Sequence, residues 1–380
     1  MKKIKIAILF GGKSGEHEVS IASALSIYRT FNRKKYELTL IGIDKQGRWF
    51  LPEEKACLGS ADPMSVKLDG RREPISLVAF ENEKQLFSLN PLAKKLAASH
   101  FDVIFPVLHG SYGEDGTMQG LLELANIAYV GCGVLGSVLG MNKATSRKLF
   151  AASGIPVVDS YVISYSEFED NTRAFLDHMH ERFSFPYFIK PVSTGSSLGV
   201  SKVKNARHAP KLFQNAFLYD TQVLVEQAVN ARELECSVLG GNPPRASIVG
   251  EIIPNHEFYS YEAKYLDKKG ASLSIPASLS ASLVKKIQMY ALEAFSAIGC
   301  SGLARVDFFL DRETQALFLN EVNTMPGFTE ISMYPKLWEA SGLSYSKLLD
   351  TLVDLAIKRH QEKNRLKTSY HSKKTRSITD

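Results

Sequence analysis

The first third of the chain alternates short apolar runs with segments of helical spacing. Residues 4–10 (IKIAILF), Tyr36–Ile43 and Val103–Val107 are near-continuous apolar runs, the pattern of buried strands. Residues 18–31 and 118–125 read as helices. Such alternation predicts a parallel sheet with crossover helices, an α/β domain. Residues 49–90 break the rhythm with proline, glycine and charge around short apolar runs, and are expected to form a hairpin-bearing insertion. The glycine-rich passage 131–140 marks a first boundary.

Beyond it, residues 142–152 predict a helix stopped by Gly154 and Pro156. "FPYFIKP" and "GVSKV" read as strands flanking residues 191–199, and "QVLVEQAV" as another. In 282–298, Val284, Ile287, Ala291, Ala294, Phe295 and Ile298 share one helical face, and Gly299 is the stop. Two strands follow, then an amphipathic helix over 345–357. No internal repeat is present.

Composition narrows the function classes. A chain of 380 residues with 44% hydrophobic and 23% charged positions is ordinary for a globular protein. No apolar run reaches the ~18 residues of a membrane helix, and the N-terminus lacks a small-residue cleavage site, so residues 4–10 are expected to be a strand and not a signal peptide. Cys57, Cys132, Cys236 and Cys300 stand far apart without a CxxC, which argues against zinc and for reduced thiols in a cytoplasmic protein. The net charge of +6 invites a nucleic-acid reading. From Lys358 onward, however, eight basic residues face only Glu362 and Asp380, so the excess belongs to a polar tail expected to be disordered.

Four stretches carry chemistry. "AILFGGKS" at 7–14 matches a loose phosphate-loop template, but Ile8, Leu9 and Phe10 occupy positions that should wrap phosphates, so a strand end is expected there. In "GLARVDFFLDRETQALFLNEVNTMPG" (302–327), two strand-like runs flank the turn 311–315, predicting an antiparallel hairpin. Alternation puts Arg305 and Asp307 on one face, Glu321 and Asn323 on the other strand's matching face, and Arg305 opposite Glu321. Oxygen donors without His or Cys suit Mg²⁺ completed by phosphate; a solvent-facing salt bridge is the alternative. "KPVSTGSSLG" (190–199) puts a lysine before small residues whose N–H groups could cover phosphates, although such loops are commonly only turns. Glu226 and Glu233 in "VLVEQAVNARELE" suit either an exposed ion pair or a ribose acceptor.

With "MNK", "EQAVNARE", "ARVDFFL", "NEVNTMPG", "GGKSGEHEVS", "LHGSYGEDGTMQG" and "YSYEAKYL" added in order, the chain resembles the D-alanine–D-alanine ligases of the ATP-grasp superfamily across about residues 4–357. The resemblance implies an N-terminal parallel α/β domain (1–130, insertion about 46–98) followed by a two-domain ATP-grasp fold (131–223 and 224–363), then the tail 364–380. It implies joining of two D-alanines through an acyl phosphate, for peptidoglycan precursors, by a cytoplasmic homodimer without nucleic-acid or membrane partners. Lys143, Lys190, Ser196 and Ser197 would meet ATP phosphates, Glu226, Gln227 and Val229 the adenine, and Glu233 the ribose. Asp307, Glu321 and Asn323 would hold two Mg²⁺, with Mn²⁺ as the substitute. Arg305 and the Gly327 N–H would stabilise the tetrahedral oxyanion. Glu16, linked to Ser196 and Tyr265, would take the first D-alanine's ammonium, beside His109. Lys264 and Ser332 would take the second substrate's carboxylate, with "YSYEAKYL" on a mobile closing loop.

Two positions depart from the family pattern: Asn142 replaces the usual Asp, and "KPVSTGSS" lacks a charged residue before Gly-Ser-Ser. D-alanine–D-lactate or D-alanine–D-serine ligases of the same fold are the nearest alternative, and the retained Glu262-Ala263-Lys264-Tyr265 favours the dipeptide. A non-catalytic ATP-binding protein is the alternative of a different class, and the retained metal-ligand candidates and Arg305 argue against it.

Overall fold

A computed structural model describes residues 2–60, 62–68, 74–80, 83–88, 99–254 and 270–367. Strand Ile4–Gly11 lies at the centre of a five-stranded sheet in the order Trp49–Phe50, Tyr36–Ile43, Ile4–Gly11, Val103–Val107, Ala128–Tyr129. All pairings are parallel except that of the edge strand Trp49–Phe50. A central parallel strand is covered on both faces, which is why residues 6–10 are all apolar and all fully buried. Ile6, Ile8 and Phe10 pack with Ile21 and Leu25 of helix His17–Thr30 and with Leu349 and Leu352 of helix Tyr345–Lys363. Ala7 and Leu9 pack instead with Met118 and Leu122 of helix Thr117–Leu124. The last helix, expected over 345–357, runs to Lys363 and packs on this first sheet.

The insertion contains the expected hairpin, Ile75–Phe80 paired with Glu83–Ser88. The tail beyond residue 367 lies outside the described residues.

Two antiparallel sheets follow. One has the order Ser201–Val203, Tyr187–Pro191, Gln222–Gln227, Ser160–Ser164, with helices Tyr165–Asp170, Thr172–Arg182 and Ala209–Ala216 beside it. The other has the order Ala271–Ser274, Arg245–Pro254, Ala231–Leu239, Leu303–Asp311, Leu317–Asn323. Helix Ala281–Ala297 starts at Ser280, whose side chain accepts the Leu283 N–H at 3.3 Å. Its Ile287, Ala291, Ala294 and Phe295 bury one face of this sheet against Leu234, Cys236, Val238, Ala304, Val306, Phe308 and Leu310. Strict alternation therefore delivers Glu233, Glu235, Arg305, Asp307 and Phe309 to the opposite face.

Asn142 occupies the N-cap of helix Lys143–Ala152, its side chain accepting the Thr145 N–H at 2.8 Å. Asn and Asp cap helices about equally well. The departure from the family pattern at this position is thus neutral for the helix that carries Lys143.

Candidate active site

The polar face of the larger antiparallel sheet is the foundation of the site. In register across three strands, Glu235 faces Asp307, which faces Glu321, and Arg305 faces Asn323. This corrects the expected pairing of Arg305 with Glu321. The hairpin starts one residue out of the expected register, at Leu310 with Leu317, and a bulge at Asn320 adds a second shift. One residue of slip would have turned Glu321 and Asn323 into the core, and the bulge turns them back.

Arg305 donates Nε and Nη2 to Asp307 at 2.8 and 2.7 Å, and Nε stands 2.9 Å from a Glu235 oxygen. Burial works against its charge, and Asp307, Glu235 and Glu321 more than offset it, raising the guanidinium's pKa above its ordinary value. Asn323 donates Nδ2 to Asp307 at 2.9 Å. Lys143 reaches over from its helix, with Nζ 2.7 Å from the Thr194 carbonyl and 3.4 Å from Glu321. Among the described residues no three His, Cys, Asp or Glu side chains cluster closely enough to hold a metal. The set here is two carboxylates and one amide on a single face, all hard oxygen donors, with a lysine at its edge. Such a donor set fits Mg²⁺ whose remaining ligands come from phosphate and water.

On the neighbouring sheet, Lys190 Nζ lies 2.7 Å from Glu226, whose other oxygen is bonded by Arg147. Glu226 is buried; burial alone would raise its pKa, but Arg147 and Lys190 hold it below the usual carboxylate range. Its side chain is therefore committed to two cations and orients Lys190. Gln227 is committed too, accepting the Ser184 N–H at 3.0 Å and donating to the Pro186 carbonyl at 3.2 Å. Both side chains at this strand end are therefore engaged, and the Gln227 N–H is itself bonded to the Asp159 carbonyl at 3.2 Å. Lys190 stands 5.9 Å from the Phe188 ring centre and 5.7 Å from that of Phe309, and Glu233 is in register with Phe309.

Glu226→Gln should cost about 3–5 kcal/mol of stability at neutral pH, because it leaves buried cations without their counter-charge. A depressed pKa contributes stability above the unfolded value and loses it as pH falls through the folded one. The gap between variant and wild type in urea melts should therefore close as pH drops below 4.5, the ordinary carboxyl value. A gap independent of pH would mean that the carboxylate's charge is not what holds the pair.

The loop after Lys190 carries Ser196 and Ser197 at φ of 49° and 59°, a left-handed conformation unusual for serine. It brings the Ser196 hydroxyl onto Glu16, the buried residue at the start of helix His17–Thr30. A Cβ at Gly195 or at Gly110 would lie 2.7 Å from the Glu16 carboxylate, and Gly110 also has φ of +72°. Glycine at both positions lets two loops close on one acid. The "AILFGGKS" stretch borders this region without acting as a phosphate loop. Strand Ile4–Gly11 includes the residues that should wrap, while Gly11 N–H bonds Ser20 and Gly12 N–H bonds the Ile43 carbonyl.

His109 is buried, with Nε2 3.1 Å from Ser23 Oγ and Nδ1 2.9 Å from the Met325 carbonyl. Burial lowers its pKa despite Glu16 nearby. Ser332 Oγ accepts the Thr329 N–H at 3.0 Å and meets the Thr329 hydroxyl at 2.8 Å, just before helix Met333–Ala340. Lys264 and Tyr265, with the rest of "YSYEAKYL", lie outside the described residues.

Four residues at the site were missed from the sequence: Glu235, Arg147, Glu114 and Ser23. Glu235 was legible, since Glu233 and Glu235 alternate with Leu234, Cys236 and Val238. Arg147 was not, because only the fold brings its helix to Glu226. Glu114 is buried; its two oxygens accept the Gly110 and Met325 N–H groups at 2.8 and 3.1 Å. Burial, with the charge of Glu16 added, pushes the Glu114 pKa up to about 8.

Known proteins resemble this chain in sequence and fold. Family models described as the D-ala D-ala ligase N-terminus and C-terminus match residues 5–132 and 149–354. A D-alanine–D-alanine ligase of Acetivibrio thermocellus is 45% identical over 368 residues, spanning 95% of this chain and 97% of the relative. The structure of the D-alanine–D-alanine ligase of Coxiella burnetii superposes with a TM-score of 0.83 at 40% identity, covering 96% of this chain and 97% of that one. The VanG D-Ala:D-Ser ligase of Enterococcus faecalis superposes at 0.79 with 36% identity, covering 93% and 100%.

Proposed function

Because this chain belongs to the D-alanine–D-alanine ligase family, we propose that it joins two D-alanines at the polar sheet face described above, using ATP and releasing ADP and phosphate. The observation that carries this reading is the partly buried Arg305 set among Asp307, Glu321 and Asn323 on one face, with Lys143 beside Glu321. A carboxylate oxygen of the first D-alanine attacks the γ-phosphorus, ADP leaves, and an acyl phosphate results. The amine of the second D-alanine then adds to that carbonyl, a proton is lost from nitrogen, and phosphate leaves.

Each step needs charge held in a fixed place. Glu16, fixed by Ser196, takes the first ammonium beside His109. Lys143 and Lys190 neutralise phosphate oxygens, the turn at Ser196 and Ser197 donates hydrogen bonds to them, and Glu226 keeps Lys190 extended between the two aromatic rings. Glu233 accepts from the ribose. Mg²⁺ held by Asp307, Glu321 and Asn323, two ions by the family pattern and with Mn²⁺ as substitute, would supply positive charge where the γ-phosphoryl group meets the carboxylate. Arg305 and the Gly327 N–H stabilise the tetrahedral oxyanion. Ser332, with Lys264, takes the second carboxylate, and Tyr265 joins the Glu16–Ser196 pair.

D-alanine-dependent ADP release, with the product identified by mass as the dipeptide, tests the reading. Release driven by D-serine or D-lactate in preference would move it to the depsipeptide or mixed-dipeptide activity. No release with any of the three would leave an ATP-binding protein.

We also propose a cytoplasmic homodimer. No helix among the described residues is long and apolar enough to cross a membrane. Leu124 and Leu135, 82% and 62% exposed, stand with Leu121, Val134 and Val138 on the adjoining helices Thr117–Leu124 and Val134–Met141, an apolar patch suited to a second copy. Replacing Leu124 and Leu135 together by lysine should convert the dimer to monomer in sedimentation velocity without unfolding it. A wild-type protein that sediments as a monomer at micromolar concentration would end this proposal.

A further inference from the structure

The turn 324–328 that carries Gly327 is gripped from outside its own sheet. Met325 donates its N–H to Glu114 at 3.1 Å, and its carbonyl faces His109 Nδ1 at 2.9 Å. Phe328 donates its N–H to Ser23 Oγ at 3.2 Å and accepts from the Tyr345 hydroxyl at 2.6 Å. Glu114, His109 and Ser23 belong to the N-terminal α/β part, and Tyr345 to the helix packed on it.

The bonding directions are forced. The Met325 carbonyl can only accept, so His109 Nδ1 carries the proton. In the neutral ring Nε2 then accepts, so the Ser23 hydroxyl donates to it and receives the Phe328 N–H on its oxygen. Burial keeps the imidazole neutral, which this chain of bonds requires. Glu114 completes the grip by tying Met325 to Gly110, in the loop that also crowds Glu16. Among the described residues the Gly327 N–H itself has no hydrogen-bond acceptor, while the peptide groups at Met325 and Phe328 are satisfied. An oxyanion donor acts only if its direction is set before charge develops.

We propose that Glu114 and Ser23 are positioning residues: from the N-terminal part they fix the 324–328 turn so that the Gly327 N–H points at the carbonyl under attack. This rests on the reading of Gly327 as an oxyanion donor. It adds that the two parts of the molecule meet through main-chain bonds on that turn. Both side chains are buried and engaged by these bonds, so each acts through the turn.

The test uses Glu114→Gln and Ser23→Ala in the full-length enzyme. Gln keeps one acceptor but presents an amide N–H₂ to the second main-chain N–H, and Ala leaves the Phe328 N–H without its acceptor. Each should lower kcat for dipeptide formation by roughly 10- to 100-fold, below the ~10²–10³ for deleting a donor outright, with KM for ATP within about twofold. The double variant should fall short of the product of the singles, since both act on one turn. Bridge-to-nonbridge ¹⁸O exchange in ATP with D-alanine reports reversible acyl-phosphate formation and should persist while dipeptide formation falls. Unchanged kcat in both variants, or exchange lost in parallel with dipeptide, would overturn the proposal. If Glu114→Gln does not fold, Ser23→Ala decides, because it removes a single oxygen and leaves the rest of the side chain in place. A wild-type enzyme that makes dipeptide without isotope exchange would instead count against the acyl-phosphate reading, independently of either variant.

Discussion

Glu321→Gln should lower D-alanine-dependent ADP formation roughly a thousandfold while leaving the fold intact. The carboxylate sits on the polar face of the sheet, opposite Asp307, with Lys143 Nζ at 3.4 Å and the Arg305 guanidinium near enough to feel its charge. Gln preserves shape and the strand, so little stability is at stake. It removes a full negative charge from a three-ligand oxygen set, and metal-borne stabilisation of transferring charge amounts to several kcal/mol. At ~1.4 kcal/mol per factor of ten, that is about three orders of magnitude. The metal reading makes a second demand: the variant should need far more Mg²⁺ for half of its residual rate. A mere salt bridge to Lys143 would leave the Mg²⁺ dependence where it was. Near-normal turnover at limiting Mg²⁺, in protein with a wild-type melting curve, would remove Glu321 from the metal set.

Much of this site was legible because sheets alternate strictly. In Leu303–Asp311 the apolar and polar positions interleave, so Arg305 and Asp307 had to share a face once the strand was recognised. The same rule applied to Glu321 and Asn323, and both pairs reached the same side in the fold. Their register was not legible, because a bulge at Asn320 has no signature in the residues around it. Parity survived only because two shifts of one residue cancel on the pleat. The buried first strand read correctly for a similar reason, since the consecutive apolar residues 6–10 leave no exposed face.

Relations between distant segments were the part that stayed hidden. Arg147 and Glu226 are 79 residues apart, and Glu114 and Met325 are 211 apart. No spacing rule connects such pairs. The family pattern supplied Glu226 and the adjacent backbone as nucleotide contacts, and it gave no sign that both the Glu226 and Gln227 side chains are engaged within the fold. Helix Met333–Ala340, whose N-cap is Ser332, also escaped the pattern, being two turns with Pro335 inside.

Arg305 is where stability and chemistry are hardest to separate, and a set of three variants separates them. Arg305→Met leaves Asp307 and Glu235 side by side on adjacent strands without their cation, with side chains only 14% and 6% exposed. Removing one partner of a buried ion pair costs about 3–5 kcal/mol, so the variant should melt well below wild type. Adding Glu235→Gln relieves the like-charge contact, and the double variant should regain most of the lost melting temperature. Dipeptide formation should stay at least ~10²-fold down in both, since neither restores a donor to the oxyanion. Arg305→Lys keeps the charge but loses the planar fork that meets both Asp307 oxygens. It should therefore fold nearly normally and still lose ~10²-fold or more in kcat. Thermal melts paired with steady-state rates read out all three. If activity instead follows melting temperature across the set, Arg305 holds the sheet face together and the oxyanion must be met by the Gly327 N–H alone.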